Sequence, residues 1–313
     1  MKNESIKFKQ DILCIIGPTC SGKTSLACDL VDRFDFEIVS VDSVMIYKGL
    51  NIGTAKPDAS ELANYPHHLI DICDPSETYS VGRFCLDVVA AIESIHKKGK
   101  RPLLVGGTAM YFHVLHNGMH KLPVSTAESK QIAQDSLTKL GALGAHAHLR
   151  NIDPASAERI NPADTQRLIR ALEVYGLTGC TITDLCSSKM VTSDYNFKNI
   201  ILLPDRDKLK IDISIRLKNM IDMGFLAEVS QLKKREDLSA KNSSIRSVGY
   251  RQAWDYLDNK ISMDEFVEKA SVATRQLAKR QYTWFKKMPG HSLHGLSKLD
   301  SLKKSLQIIS GMV

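Results

Sequence analysis

The chain has 313 residues, of which 43% are hydrophobic and 25% are charged, and these values exclude a disordered chain, a collagen-like fibre and a membrane-embedded protein. Its net charge of +7 is uneven: residues 241–290 hold ten Lys or Arg against five Asp or Glu, which favours a polyanionic partner there. Seven cysteines without a CxxC pair argue against a disulfide framework or a zinc site, and residues 1–10 lack the apolar stretch of a signal peptide. We therefore expect a cytoplasmic protein with no membrane span.

The first 105 residues alternate between short apolar segments and amphipathic segments with helical spacing. In chain order they predict a strand over Lys9–Ile16, a helix over Ser25–Phe34, a strand over Phe36–Val41, a helix over Tyr79–Lys98 and a strand over Arg101–Val105. Alternation of this kind is typical of an α/β fold, in which a parallel sheet carries helices on both faces.

The pattern changes between about Lys121 and Ser193, where the spacing is helical and prolines mark the breaks. A strand over Asn199–Leu203 and two long helices, over Lys208–Lys234 and Met263–Lys287, then complete the core. We therefore predict two domains: an α/β core formed by residues 1–120 and 195–313, and a helical insertion domain formed by residues 121–194.

A glycine-rich segment lies between the first predicted strand and the first predicted helix. It satisfies GxxxxGK[ST], which we call the P-loop motif, with the residues Gly17, Pro18, Thr19, Cys20, Ser21, Gly22, Lys23 and Thr24. In such a loop the backbone N–H groups and the helix N-terminus face a phosphate, the lysine reaches the outer phosphate, and the threonine hydroxyl can bind Mg²⁺. The motif makes the predicted core P-loop NTPase-like and predicts a bound diphosphate or triphosphate; a chance match in a glycine turn is the alternative.

The residues at the other strand ends indicate the reaction, because the strand ends of an open parallel sheet reach one crevice. A nucleotide hydrolase is expected to hold Mg²⁺ with a Walker B aspartate, but the strand over Arg101–Val105 runs into Gly106-Gly107-Thr108. Asp42 follows the strand over Phe36–Val41 instead, where it can act as a general base or merely cap a turn. Thr108 can donate to a phosphate oxygen or simply complete a turn.

Nine segments of the chain occur together in one order: Gly17–Thr24, Asp42–Ser43, Tyr47–Lys48, Ile52–Pro57, Leu104–Thr108, Arg159–Pro162, Gln166–Val174, Ser244–Arg251 and Ala273–Gln281. This set closely resembles the bacterial tRNA dimethylallyltransferases, also called isopentenyl-tRNA transferases, over about residues 11–290. Several of the segments have no counterpart in ordinary P-loop kinases.

The resemblance implies transfer of a dimethylallyl group from dimethylallyl diphosphate to N6 of adenosine 37, next to the tRNA anticodon. The P-loop motif would then hold the leaving pyrophosphate, which agrees with the missing Walker B aspartate. Lys23, Thr24 with Mg²⁺, and Thr108 would stabilise the charge on the pyrophosphate. Asp42 would accept the N6 proton, and the target base would have to leave its stack to react.

The resemblance also assigns residues to the two substrates. The implied tRNA contacts are Asp42, Ser43, Val44, Met45, Thr108, Lys130, Gln166, Arg167, Leu168, Ile169, Arg170, Arg246, Ser247, Val248, Gly249, Tyr250 and Arg251. Each arginine has a surface ion pair as its alternative, and Tyr250 can stack on a base or pack inside the protein. Arg216 matches a diphosphate-binding arginine, although Asp212 and Lys286 stand where further arginines are expected.

Four histidines could be mistaken for metal ligands, but we expect surface or second-shell roles for His67, His68, His146 and His148. Pro66–His68 also resembles the family's loop near the substrate, which leaves a minor binding role open for this stretch. Trp284 and Phe285 are predicted to belong to the core, and we expect a monomer.

Two other functions are possible: a P-loop small-molecule kinase or ATPase, and an RNA-binding module with a vestigial P-loop. The missing Walker B aspartate argues against the first, and the intact Lys23, Thr24 and Asp42 argue against the second.

Overall fold

The structure is a computed structural model that describes residues 10–187 and 194–311. The chain forms two compact units, one made of Met1–His116 with Asp194–Val313 and the other of Asn117–Ser193. The predicted α/β fold is confirmed in the larger unit, and the smaller unit is helical in its described residues. Contact of the smaller unit with tRNA stays a prediction.

The larger unit is organised around a six-stranded parallel sheet with the order β3-β2-β4-β1-β5-β6. Its strands are β1 (Gln10–Ile16), β2 (Phe36–Val41), β3 (His67–His68), β4 (Arg101–Gly106), β5 (Tyr195–Leu203) and β6 (His291–His294). Because the strands are parallel, the P-loop motif after β1, Asp42 after β2 and Gly107 after β4 all leave the sheet at one edge. That edge carries the candidate active site.

Helices cover both faces of this sheet, as the sequence predicts. In the described residues the helices are α1 (Lys23–Val31), α2 (Ala59–Asn64), α3 (Val81–Lys97), α4 (Ala109–Asn117), α5 (Ala127–Ile152), α6 (Pro154–Arg159), α7 (Thr165–Thr178), α8 (Ile182–Cys186), α9 (Arg206–Asp222), α10 (Phe225–Lys233), α11 (Tyr250–Leu257), α12 (Met263–Phe285) and α13 (Lys298–Ser310). Alternate residues of β1 enter different cores: Cys14 and Ile16 pack with α3 and α12, whereas Leu13 and Ile15 pack with α1 and α13. The sheet is therefore buried on both sides, which is typical of parallel strands.

The prediction of one helix over Lys208–Lys234 is wrong, because α9 and α10 are separate helices joined at Gly224. Gly224 has a φ of 95°, which glycine adopts without strain but which ends a helix. The apolar spacing continues across the break, so the periodicity alone could not reveal it.

The smaller unit has its own core, to which α5, α6 and α7 contribute Leu149, Ala157 and Leu168. His146 is buried within it, and its Nε2 lies 2.9 Å from the carbonyl oxygen of Ala157 and 3.0 Å from that of Ile160. This side chain ties α5 to the end of α6, so the expected surface or second-shell role is wrong for His146, whereas His148 is exposed.

No helix among residues 10–187 and 194–311 is both long enough and apolar enough to cross a membrane.

Candidate active site

A cavity of about 490 Å³ lies at the carboxyl edge of the sheet in the larger unit. Its wall is made by the P-loop motif, the segment after β2, the loop that contains Gly53 and Pro57, and the facing sides of α9 and α12. Eight residues predicted to bind diphosphate or to act as a base line this one cavity: Thr19, Cys20, Ser21, Gly22, Lys23, Thr24, Asp42 and Arg216.

The P-loop motif turns through two residues in the left-handed region, Cys20 with φ 60° and Gly22 with φ 83°. Glycine accepts this conformation freely, but a cysteine is strained there, and strain of this kind is concentrated at binding sites. The Cys20 side chain packs against a small apolar cluster of Leu209, Ile213 and Ala278, so it fills the space between the loop and the helices α9 and α12. Helix α1 begins directly after the loop, which directs its free backbone N–H groups toward the same place.

Lys23 is folded back onto the loop that precedes it. Its Nζ donates to the carbonyl oxygen of Pro18 at 2.6 Å and to the Ser21 hydroxyl at 3.5 Å. The pKa of Lys23 is lowered to about 8, chiefly because burial disfavours the charged amine and also because Arg216 is a nearby like charge, while Asp42 and Cys20 act in the opposite direction. A negatively charged ligand beside Lys23 and Arg216 would relieve the repulsion between these two cations.

Gln281 of α12 joins the P-loop motif to the turn after β4. Its Oε1 accepts a hydrogen bond from the Thr19 backbone N–H at 3.0 Å, and its Nε2 donates to the carbonyl oxygen of Gly107 at 2.8 Å. Sequence reasoning assigned no role to Gln281. A signal was present, since this polar residue shares a helix face with Ala278 and Phe285, which are both buried.

Asp42 and Thr108 both hold the turn that follows β2. Asp42 Oδ1 accepts from the backbone N–H groups of Val44 at 2.8 Å and Met45 at 3.2 Å, so the carboxylate does cap the next segment. Thr108 Oγ1 accepts from the Ser43 N–H at 3.0 Å and lies 3.3 Å from the Ser43 hydroxyl. A carboxylate has two oxygens, and capping through Oδ1 is compatible with base chemistry through Oδ2.

Arg216 of α9 lines the cavity and is close enough to Lys23 of the P-loop motif to lower its pKa. Its guanidinium donates to the carbonyl oxygen of Thr54 at 3.1 Å, which connects it to the loop after Asn51. Asp212 lines the same cavity at the position where a second arginine was expected, so the wall holds a carboxylate there instead of another cation.

The implied tRNA contacts of the larger unit fall into two groups. Val44, Met45, Val248 and Gly249 line the cavity, and Arg246 and Arg251 are exposed to solvent. Tyr250 is fully buried, donates its hydroxyl proton to Glu228 at 2.6 Å, and packs edge-on against Phe225 with 5.1 Å between ring centroids. Of the two alternatives for Tyr250, packing inside the protein is the one observed.

The implied contacts of the smaller unit also differ in exposure. Lys130, Gln166 and Arg167 are exposed, Arg167 forms a surface ion pair with Asp164 at 3.4 Å, and Leu168 is buried in the core of that unit. Arg170 donates to the buried Glu173 at 2.7 Å and to the Pro123 carbonyl oxygen at 2.7 Å, so it forms the ion pair named as its alternative.

The predicted core role is confirmed for Phe285, which is fully buried, and is wrong for Trp284, which is 41% exposed and stands edge-on to His113. Trp284 and Phe285 are neighbours on one helix, so their side chains point about 100° apart and only one can face the core. His67 lines the cavity, whereas His68 pairs with Glu37 at 2.8 Å.

Two family models match the chain: one described as IPP transferase over residues 45–288, and one described as isopentenyl transferase over residues 10–71. A curated protein from Vesicomyosocius okutanii subsp. Calyptogena okutanii (strain HA), named tRNA dimethylallyltransferase, is 48% identical over 281 residues, which cover 90% of this chain and 92% of the relative. A protein of the same name from Ruthia magnifica subsp. Calyptogena magnifica is 47% identical with the same coverage.

Solved structures give the same result. The full-length tRNA isopentenylpyrophosphate transferase from Bacillus halodurans matches with a TM-score of 0.70 and 32% identity, covering 97% of this chain and 96% of that one. A eukaryotic dimethylallyltransferase acting on tRNA matches with a TM-score of 0.80 and 27% identity, covering 97% of this chain and 80% of that one.

The parallel sheet and the P-loop motif at its carboxyl edge define an α/β protein of the P-loop-like class. Within that class, the chain belongs to the IPP transferase family. The resemblance found in the sequence motifs is thereby confirmed, and the kinase and vestigial-module alternatives are set aside.

Proposed function

We propose that the protein transfers a dimethylallyl group from dimethylallyl diphosphate to N6 of adenosine 37, next to the tRNA anticodon, and releases diphosphate. This proposal rests on one observation: Lys23, Arg216 and Asp42 line the same cavity. The names of the curated relatives support prenyl transfer to tRNA. The P-loop motif binds the leaving pyrophosphate, because breaking the allylic C–O bond places negative charge on it.

On the donor side, Lys23, Arg216 and the N–H groups at the start of α1 bind the diphosphate and stabilise the charge that develops on it. The Thr24 hydroxyl, which lines the cavity, would hold Mg²⁺, and the bound ion would offset part of the same charge. The fit is reasonable because Mg²⁺ needs few protein ligands when a diphosphate supplies oxygens.

On the acceptor side, Asp42 takes a proton from the exocyclic amine as the amine attacks the allylic carbon. The lone pair of that amine is delocalised into the adenine ring, so positioning matters more than intrinsic reactivity. The adenine reaches the cavity only after it leaves its stack in the anticodon loop. Apolar wall residues such as Leu217, Met220 and Phe225 exclude the water that would otherwise capture an electron-poor allylic carbon.

We propose that the exposed Arg246, Arg251, Arg167 and Lys130 bind RNA phosphates, while Asp42–Met45 and Gln166–Arg170 are the segments nearest the target loop. Binding through phosphates weakens as salt increases. We also propose that the enzyme acts as a cytoplasmic monomer, and its seven free cysteines agree with a reducing compartment.

The direct test is transfer of labelled dimethylallyl from its diphosphate to an unmodified anticodon stem-loop RNA, with labelled ATP as a parallel donor. We expect label on the N6 of one adenosine, transfer that requires Mg²⁺, and no transfer from ATP. Turnover of ATP without prenyl transfer would overturn the proposal, and label at another base would overturn the assigned acceptor.

The lowered pKa of Lys23 predicts how donor use depends on pH. Below about pH 8 the amine is charged and binds the diphosphate, and above that pH the free enzyme loses this charge. We therefore expect kcat/KM for dimethylallyl diphosphate to be level from pH 6 to 7 and to fall by up to about tenfold per pH unit above 8, since one proton is involved. The measurement is kcat/KM for the donor from pH 6 to 10 at saturating RNA.

Lys23→Arg is the matched control for this profile, because a guanidinium keeps its charge throughout the range. Its profile is expected to stay level above pH 8, whatever its absolute rate. The same decline in both enzymes would show that a group other than Lys23 titrates.

A further inference from the structure

Glu228 of α10 accepts four hydrogen bonds, and the proposed mechanism gives it no role. Its Oε2 accepts from the backbone N–H groups of Asn51 at 3.0 Å and Ile52 at 2.7 Å. Its Oε1 accepts from the Gly53 N–H at 3.3 Å and from the Tyr250 hydroxyl at 2.6 Å. One carboxylate thus satisfies three consecutive backbone donors and a buried phenol, and hydrogen bonds to a charged acceptor are stronger than neutral ones.

The same loop is packed tightly at the point where Glu228 holds it. A Cβ atom at Gly53 would lie 2.3 Å from the Phe225 ring and 2.6 Å from the Tyr250 ring, so only glycine fits between the two. Lys56 also holds the loop, because its Nζ donates to the Tyr47 carbonyl oxygen at 2.9 Å and to Asn51 Oδ1 at 2.9 Å and pairs with Asp71 at 2.6 Å. Because Lys56 still holds Asn51, loss of the Glu228 contacts should displace Ile52–Thr54 without unfolding the loop.

Displacement of this segment would directly change the diphosphate site. Gly53 and Thr54 line the cavity, and the Thr54 carbonyl oxygen accepts the hydrogen bond that orients the Arg216 guanidinium. We propose that Glu228 is a positioning residue for the donor site: it holds Asn51–Gly53 so that Thr54 directs Arg216 at the diphosphate. This inference rests on the proposed function, in which Arg216 binds the donor.

Glu228→Gln tests the inference, because the amide keeps the size of the side chain but replaces one of its two acceptor oxygens by a donor. Each carboxylate oxygen receives two donors, so an NH₂ group in either place faces two donors and cannot accept from them. We expect Kd for inorganic pyrophosphate and KM for dimethylallyl diphosphate to rise about tenfold, while KM for the stem-loop RNA stays within about twofold. Calorimetry and steady-state kinetics measure these values, and thermal unfolding is recorded alongside.

Glu236→Gln is the matched control, since this glutamate is exposed and changes by the same atoms. Tyr250→Phe is a second variant that removes one of the four donors but leaves the three backbone bonds, and its donor KM should rise less than that of Glu228→Gln. An unchanged pyrophosphate Kd in Glu228→Gln with a lowered melting temperature would show a purely structural role and overturn the inference. An equal rise in both substrates' KM values would also overturn it.

Measurements on the wild-type protein distinguish failure of this inference from failure of the proposed function. Wild-type protein that binds no pyrophosphate and transfers no prenyl group would contradict the function itself. Wild-type transfer together with an unaffected Glu228→Gln enzyme would leave the function intact and remove only the role of Glu228.

Discussion

Lys23→Ala is expected to weaken pyrophosphate binding about 100-fold at pH 7, which corresponds to the loss of about 2 to 3 kcal/mol from charge-assisted hydrogen bonds. At this pH the amine is mostly charged, because its pKa is about 8. The variant keeps Arg216 as the remaining full positive charge of the donor site, so binding is reduced and not abolished. We also expect kcat to fall about 100-fold, since the charge on pyrophosphate grows as the C–O bond breaks. Calorimetry with pyrophosphate and single-turnover transfer measure the two effects.

Lys303→Ala is the control, because Lys303 is an exposed lysine of α13 and does not line the cavity. It should change neither value. Unchanged pyrophosphate affinity together with an unchanged kcat in Lys23→Ala would contradict the role of the P-loop motif, whereas a lower kcat with unchanged affinity would restrict Lys23 to stabilisation of the leaving group.

The sheet and the P-loop motif could be predicted because their signals are local. The strand over Phe36–Val41 was predicted with its observed bounds, since an apolar, β-branched run ends there at Asp42. The strand β6 was missed because His291–His294 has only one buried residue, Leu293, and its place in the sheet depends on pairing with β5. Local pattern carries no information about such a partner.

The motif residues of the site could also be predicted, but the residues that position them could not. Gln281 and Glu228 act across separations of 262 and 177 residues, from Gln281 to Thr19 and from Glu228 to Asn51. Glutamate is common in amphipathic helices, and the buried neighbours of Gln281 indicate that it faces the interior but not which groups it contacts. Tyr250 shows the reverse case, because it lies within a segment assigned to RNA and yet is buried against Phe225.

Asp42 caps the turn after β2, and we also propose that it is the general base. These two roles determine which substitution can test its chemistry. Alanine would remove the base and also the two hydrogen bonds that Oδ1 accepts from Val44 and Met45, and so would disturb the wall of the cavity. Asparagine keeps a carbonyl oxygen that can cap the turn, but its amide cannot accept the N6 proton at neutral pH. Asp42→Asn therefore separates base chemistry from turn geometry.

Asp42→Asn is expected to lower the rate of prenyl transfer about 10²- to 10⁴-fold, the usual contribution of a positioned general base. Stem-loop affinity should stay within about twofold, because the turn and the basic residues are retained. Pyrophosphate affinity should change little at pH 6.5, where Lys23 stays charged even though loss of Asp42 removes an interaction that raises its pKa. Single-turnover transfer and separate binding measurements at that pH give the three values. A fully active Asp42→Asn beside an impaired Asp42→Ala would assign Asp42 to the turn alone, and the proton would then have to leave through solvent or through the pyrophosphate itself.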